Sequence, residues 1–174
     1  IPITVFHLLQ HAEEYRQSPI IGTIMRVLRY GAAILSFLLL PIWYLLVTNE
    51  QFLPKNLTFL GVKEAGEVPL FLQILIADIG IEFLRIAAIH TPTPLSTAMG
   101  LIAGVIIGQI AIDVGLFSSE VVLYSAIAAI FTFAIPNYEL SISVKVFRII
   151  LLSLTALFDE SGFFIGLLLI FYYF

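Results

Sequence analysis

The chain contains no cysteine. That absence excludes disulfides, thiolate metal sites and a cysteine nucleophile together. Charge is almost as scarce. Asp, Glu, Lys and Arg make up 11% of the residues, where an ordinary soluble domain has about 25%. Eight Lys and Arg against twelve Asp and Glu leave a net charge of −4. No basic cluster exists to hold a nucleic acid, so none is expected as a partner. Histidine is limited to His7, His11 and His90. His7 and His11 have the i, i+4 spacing of a helical zinc pair, but no Glu–His partner follows them, and no metal site is expected. Nucleophile elbows, phosphate loops and dinucleotide fingerprints are missing as well. The chain therefore reads as a protein without catalytic residues or cofactor, not an enzyme.

Apolar residues fill the space. They account for 60% of the 174 positions, and the mean hydropathy is +1.08. A soluble domain of this length has too high a surface-to-volume ratio to hide that much apolar surface. The solvent for most of the chain is therefore a lipid bilayer. The chain starts at Ile1 and ends with Phe-Tyr-Tyr-Phe inside an apolar run. Both ends read as cuts in a longer membrane protein.

The pattern predicts an all-α fold, a polytopic transmembrane bundle of about four or five spans behind an amphipathic N-terminal interfacial helix. Residues 1–29 form the juxtamembrane part. Val5, Leu8, Leu9 and Ala12 share a helix face that suits the membrane surface. Ser18-Pro19 interrupts that helix and starts another, which carries Arg26 and Arg29 where they can snorkel to headgroups. Residues 30–174 form the transmembrane domain. Tyr30–Asn49 holds 20 residues without a charge, enough to cross about 30 Å of hydrocarbon. A loop over 48–69 leads to Leu70–Ile89, then to a helix over Ala98–Val114, a tight turn at Gly115–Ser119, and a helix over Val121–Ile135. Residues 140–150, with Lys145 and Arg148, read as a membrane-surface helix. The last apolar stretch is split by Asp159-Glu160-Ser161-Gly162 and resumes to Phe174. Lys and Arg place the start of the first span and residues 145–148 on the cytoplasmic side.

Three sets of residues stand out. Asp78, Glu82 and Arg85 lie on one helix face, four and then three residues apart. A bare charge at the bilayer centre costs about 2.5–3.5 kcal/mol or more, so this face must pair internally, fix helix packing or line a solute path. Gly100, Gly104 and Gly108 repeat every four residues, the small-xxx-small pattern of closely packed helices in lipid. Ser125, Ala128 and Thr132 make a small, weakly polar stripe that suits either a narrow pore or close helix packing. Asp113, one turn beyond Gln109, reads as an interfacial acid at a helix end.

Several stretches taken in order resemble the A-subunit family of bacterial spore germinant receptors. They are Leu28-Arg29-Tyr30, Glu82-Phe83-Leu84-Arg85, Ile107-Gly108-Gln109, Gly115-Leu116-Phe117-Ser118 and Ile135-Pro136-Asn137-Tyr138-Glu139. The runs from Ala77 to Arg85 and from His90 to Gly100 carry further likeness to one branch of that family. Single pieces are weak, but the collinear set covers nearly the whole chain. The resemblance implies the membrane domain of a polytopic protein of the spore inner membrane. It further implies a homo-oligomer that works with other germination membrane proteins, as a channel releasing ions when germination starts. In such an oligomer Val121–Ile135 becomes the axis helix, with Ser125, Ala128 and Thr132 facing the pore, and Asp78, Glu82 and Arg85 become the internal charge network. Two alternatives stay open: a conduit or carrier for a small solute such as dipicolinate, and a non-conducting scaffold subunit. A carrier should show repeat symmetry with discontinuous helices, and no repeat is visible. Asp159–Gly162 departs from the apolar stretch that the family leads one to expect, and leaves the last span open.

Overall fold

The computed structural model describes residues 9, 18–49, 60–63, 66–90 and 94–173. Five helices account for nearly all of them: α1 (Pro19–Thr48), α2 (Leu70–His90), α3 (Pro94–Asp113), α4 (Ser119–Phe133) and α5 (Tyr138–Tyr173). No strand occurs among the described residues. Apart from Leu9 and Ser18, the expected amphipathic helix before Pro19 lies outside them.

The helix ends follow from local chemistry. α1 and α3 open on proline, whose missing N–H is one that a first turn leaves unpaired in any case. α3 ends in a Schellman motif. Gly115 takes φ +73°, the Leu116 N–H reaches the Ala111 carbonyl at 3.0 Å, and the Gly115 N–H reaches the Ile112 carbonyl at 2.9 Å. α5 is capped by Asn137, whose Oδ1 accepts the Leu140 N–H at 2.9 Å. α1 runs without a stop from Pro19 through Pro41 to Thr48, so the predicted juxtamembrane helix and first span are one element.

Two helices are long and apolar enough to cross a membrane: Pro19–Thr48 and Tyr138–Tyr172. Hydroxyls on these and on α4 turn back to their own helix. Thr23, Thr48, Thr132, Ser143, Ser153 and Thr155 each donate to the carbonyl four residues earlier, at 2.7–2.9 Å. A hydroxyl satisfied in this way can sit in an apolar medium without an unmet partner. The outward faces are large and apolar, for example Ile102, Val105, Ile106 and Ile110 on α3.

α5 is not a straight rod. Asp159 has φ 50° and ψ −129°, outside helical geometry and rare for a residue with a Cβ. Residues eight apart on a straight helix are separated by about 12 Å. Here a Cβ placed on Gly162 would collide with the Leu154 carbonyl, and one on Gly166 would meet the Leu151 and Leu154 side chains. The helix therefore folds back on itself at the acidic break that the sequence marks, and the two glycines let the arms touch.

The chain divides into two compact units, Ile1–Ile42 with Ile127–Phe174, and Trp43–Ala126. In the first, Leu9, Ile135, Leu140 and Val144 form a core against which Tyr30, Ala33 and Phe37 pack. In the second, α2 and α3 lie together, and the segment before α2 is tied to the α3–α4 turn.

Candidate functional site

The charged face of α2 is turned inward. Asp78 is 2% exposed, and Arg85 Nη1 lies 3.8 Å from Glu82 Oε2 with both side chains largely covered. The opposite face carries Ile76, Ile79 and Phe83 outward. Apolar residues meet the surroundings and charges meet protein, which is the arrangement a low-dielectric solvent demands. At the end of α3, exposed Asp113 accepts a hydrogen bond from Gln109 Nε2 at 2.8 Å.

On α3, Gly104 faces α2, where Leu84 Cδ1 would lie 3.0 Å from an added Cβ. Gly108 faces Val122 of α4 with room for ordinary contact. Gly100 is helical, and its surroundings lie outside the described residues. The α4 stripe is also inward: Ser125 and Ala128 are fully buried and Thr132 is 1% exposed. Leu123, Ile130 and Phe133 occupy the exposed side. The three stripe residues share one face and are covered by their own chain.

Two polar centres went unrecognised in the sequence. In the unit Trp43–Ala126, Gln73 is buried at the middle of a knot. Its Nε2 donates to the Val68 carbonyl at 2.6 Å, and its Oε1 accepts the Ser118 N–H at 2.9 Å and the Ser118 hydroxyl at 3.0 Å. Glu67 N–H donates to the Gly115 carbonyl at 2.9 Å, and Trp43 Nε1 donates to the Leu60 carbonyl at 2.9 Å while its ring lies on Tyr124. A cleft of about 290 Å³ opens beside this knot, lined in part by Lys63, Gly66, Ser119 and Glu120.

The other centre is Arg148, the largest fully buried side chain among the described residues, at 1% exposure. Its Nη1 donates to the Ser36 carbonyl of α1 at 2.7 Å and to Thr132 Oγ1 of α4 at 3.3 Å. Lys145, one turn before, is buried as well. This corrects the membrane-surface reading of residues 140–150: they are the inward first arm of α5. The misreading came from taking two cations near an apolar run as interface anchors. A signal was available, since Arg148 lies twelve residues past Pro136 and well inside the helix that Asn137 caps. No cluster of residues suited to a metal ion occurs among the described residues.

Helices able to cross a membrane, apolar faces turned out and charged or hydroxyl groups turned in define a helical membrane domain. The chain belongs to the Bacillus/Clostridium GerA spore germination protein family, whose model matches residues 1–174. It is 57% identical over 165 residues to stage V sporulation protein AF of Bacillus subtilis (strain 168), which covers 95% of this chain and 34% of that protein. It is 29% identical over 174 residues to spore germination protein A1 of the same organism, covering 98% of this chain and 36% of the relative. With spore germination protein GerLA of Bacillus cereus the identity is 27% over 170 residues, covering 96% and 35%. These relatives are named as germination and sporulation proteins, none as an enzyme. The chain spans about a third of the length of the curated relatives it matches. No solved structure matches it.

Proposed function

We propose that the chain is the membrane part of a germination subunit that conducts ions as a homo-oligomer in the spore inner membrane, alongside other germination membrane proteins. The observation that carries the reading is the inward row Ser125, Ala128 and Thr132 on α4, whose outer face carries Leu123, Ile130 and Phe133. Small and hydroxyl side chains pass an ion without trapping it, where Leu or Phe would close the route. Because the row is covered by its own chain, it lines a route only after α4 turns or separates from its neighbours, and the form described is a shut one. Asp78, Glu82 and Arg85 hold the neighbouring helices in place.

Five crossings, from α1 to the first arm of α5, fit the contacts within each unit. Residues 66–68 meet the α3–α4 turn, as they must if α2 and α3 cross out and back. Tyr30 packs against the core of Leu9, Ile135, Leu140 and Val144, which fits four crossings between the start of α1 and the start of α5. The test is single-channel recording of the full-length protein in planar bilayers, with and without Ala128→Trp. Discrete currents that vanish in an assembled Ala128→Trp oligomer support the reading. Currents unchanged by Ala128→Trp reject the α4 route, and silence from a well-assembled wild-type oligomer points to a scaffold or to a channel that needs a partner subunit.

A further inference from the structure

We propose that Arg148 is the positioning residue that latches α4 in its shut arrangement, holding Thr132 of the α4 row against α1. This rests on the conducting reading above, since a latch matters only if α4 moves.

One side of the latch sits where a proline leaves a carbonyl short of a donor, and the other lies beside such a carbonyl. Pro41 has no N–H, so the Phe37 carbonyl of α1 loses its helical partner. The adjacent Ser36 carbonyl takes the Arg148 guanidinium at 2.7 Å. Pro136 likewise cannot donate to the Thr132 carbonyl of α4. That carbonyl is served by the Ile135 N–H at 3.2 Å and the Ser141 hydroxyl of α5 at 3.4 Å. The Thr132 hydroxyl donates to the Ala128 carbonyl at 2.8 Å, which leaves its lone pairs to accept from Arg148. Thr132 is thus gripped by α5 at two points, its carbonyl by Ser141 and its hydroxyl by Arg148.

A guanidinium suits this task better than an apolar contact would. It is always charged, and one nitrogen, Nη1, reaches acceptors on two helices at once. It is withdrawn from water, so parting α4 from α1 costs hydrogen bonds as well as packing. The grip is also breakable, because the Thr132 contact is the longer of the two at 3.3 Å. A movement of α4 would leave Arg148 on α1 and free the row.

The experiment uses the full-length protein with other cysteines removed and Ala128→Cys as a reporter, one helical turn before Thr132. Thiol-reagent labelling of the assembled protein is measured with Thr132, Thr132→Val or Thr132→Ser. Valine keeps the shape and removes the acceptor; serine restores it. The expected result is about tenfold faster labelling with Thr132→Val, the equivalent of about 1.4 kcal/mol, with Thr132→Ser near the parent rate. Labelling within about twofold of the parent in an assembled Thr132→Val protein overturns the latch. If Thr132→Val does not assemble, Arg148→Met, which keeps the length without any donor, is read by the same criterion. Parallel current recordings separate the two readings. Faster labelling without currents from any form supports the latch and rejects conduction, whereas wild-type currents with unchanged labelling support conduction and reject the latch.

Discussion

In the unit Trp43–Ala126 the buried polar centre is an amide, Gln73, and its partners are the Val68 carbonyl and Ser118, both in connections between helices. In the unit built on Ile1–Ile42 and Ile127–Phe174 the centre is a guanidinium, Arg148, and its partners lie within α1 and α4. The amide closes a loop onto a turn where water can replace it if the knot opens. The guanidinium joins helices whose outward faces are apolar, away from water. The same kind of interaction therefore fastens connections in one unit and helices in the other. The difference lies in what surrounds each group when its bonds break.

Four substitutions would break or sharpen that contrast. The largest effect is expected from Gly162→Val, which drives a side chain into the Leu154 carbonyl across the α5 hairpin. Overpacking against backbone that cannot yield should cost about 3 kcal/mol or more, and size-exclusion profiles in detergent should show little folded protein. Gln73→Leu comes next. It strands the Ser118 N–H and the Val68 carbonyl, each at about 1–3 kcal/mol. Trypsin should then cut at exposed Lys63 faster, while labelling at Ala128→Cys in the other unit stays unchanged. A coupled rise in both would show that the two centres are not independent. Glu82→Gln should lower the yield of assembled protein moderately, by about 1–2 kcal/mol in thermal unfolding. Normal assembly with altered conductance would move that face from structure to permeation. Trp43→Phe keeps an aromatic ring near Tyr124 but deletes the bond to Leu60 and leaves a small gap where the wider indole lay, so about 1–2 kcal/mol is expected, read as a small drop in melting temperature.

Much of this was legible in the residues. A charge inside an apolar helix must turn inward, so the spacing of Asp78, Glu82 and Arg85 announced their common face before any fold was known. Gly115 announced a turn, and Asp159–Gly162 an interruption, because neither suits a straight helix in lipid. Arg148 was not legible in the same way. A cation beside an apolar run can anchor at an interface or plunge inward, and the choice depends on whether carbonyls wait for it. The acceptors are the Ser36 carbonyl of α1, 112 residues away, and the Thr132 hydroxyl of α4, 16 residues away. Gln73 was missed for a related reason: an uncharged amide in an apolar segment gives no warning, and its partners come from Val68 and from Ser118, forty-five residues on.

Composition and spacing alone determined the apolar solvent, the helical class and the common face of Asp78, Glu82 and Arg85, because those depend on local periodicity and on the cost of charge in lipid, and the ordered motifs carried the family resemblance. The tertiary structure decided which way the last helix runs after Asp159, which polar groups meet, and that the Ser125, Ala128 and Thr132 row is covered by its own chain. Each of these is a matter of close approach between segments, where a missing Cβ at Gly162 or a missing N–H at Pro136 favours one packing among several that the pattern allows.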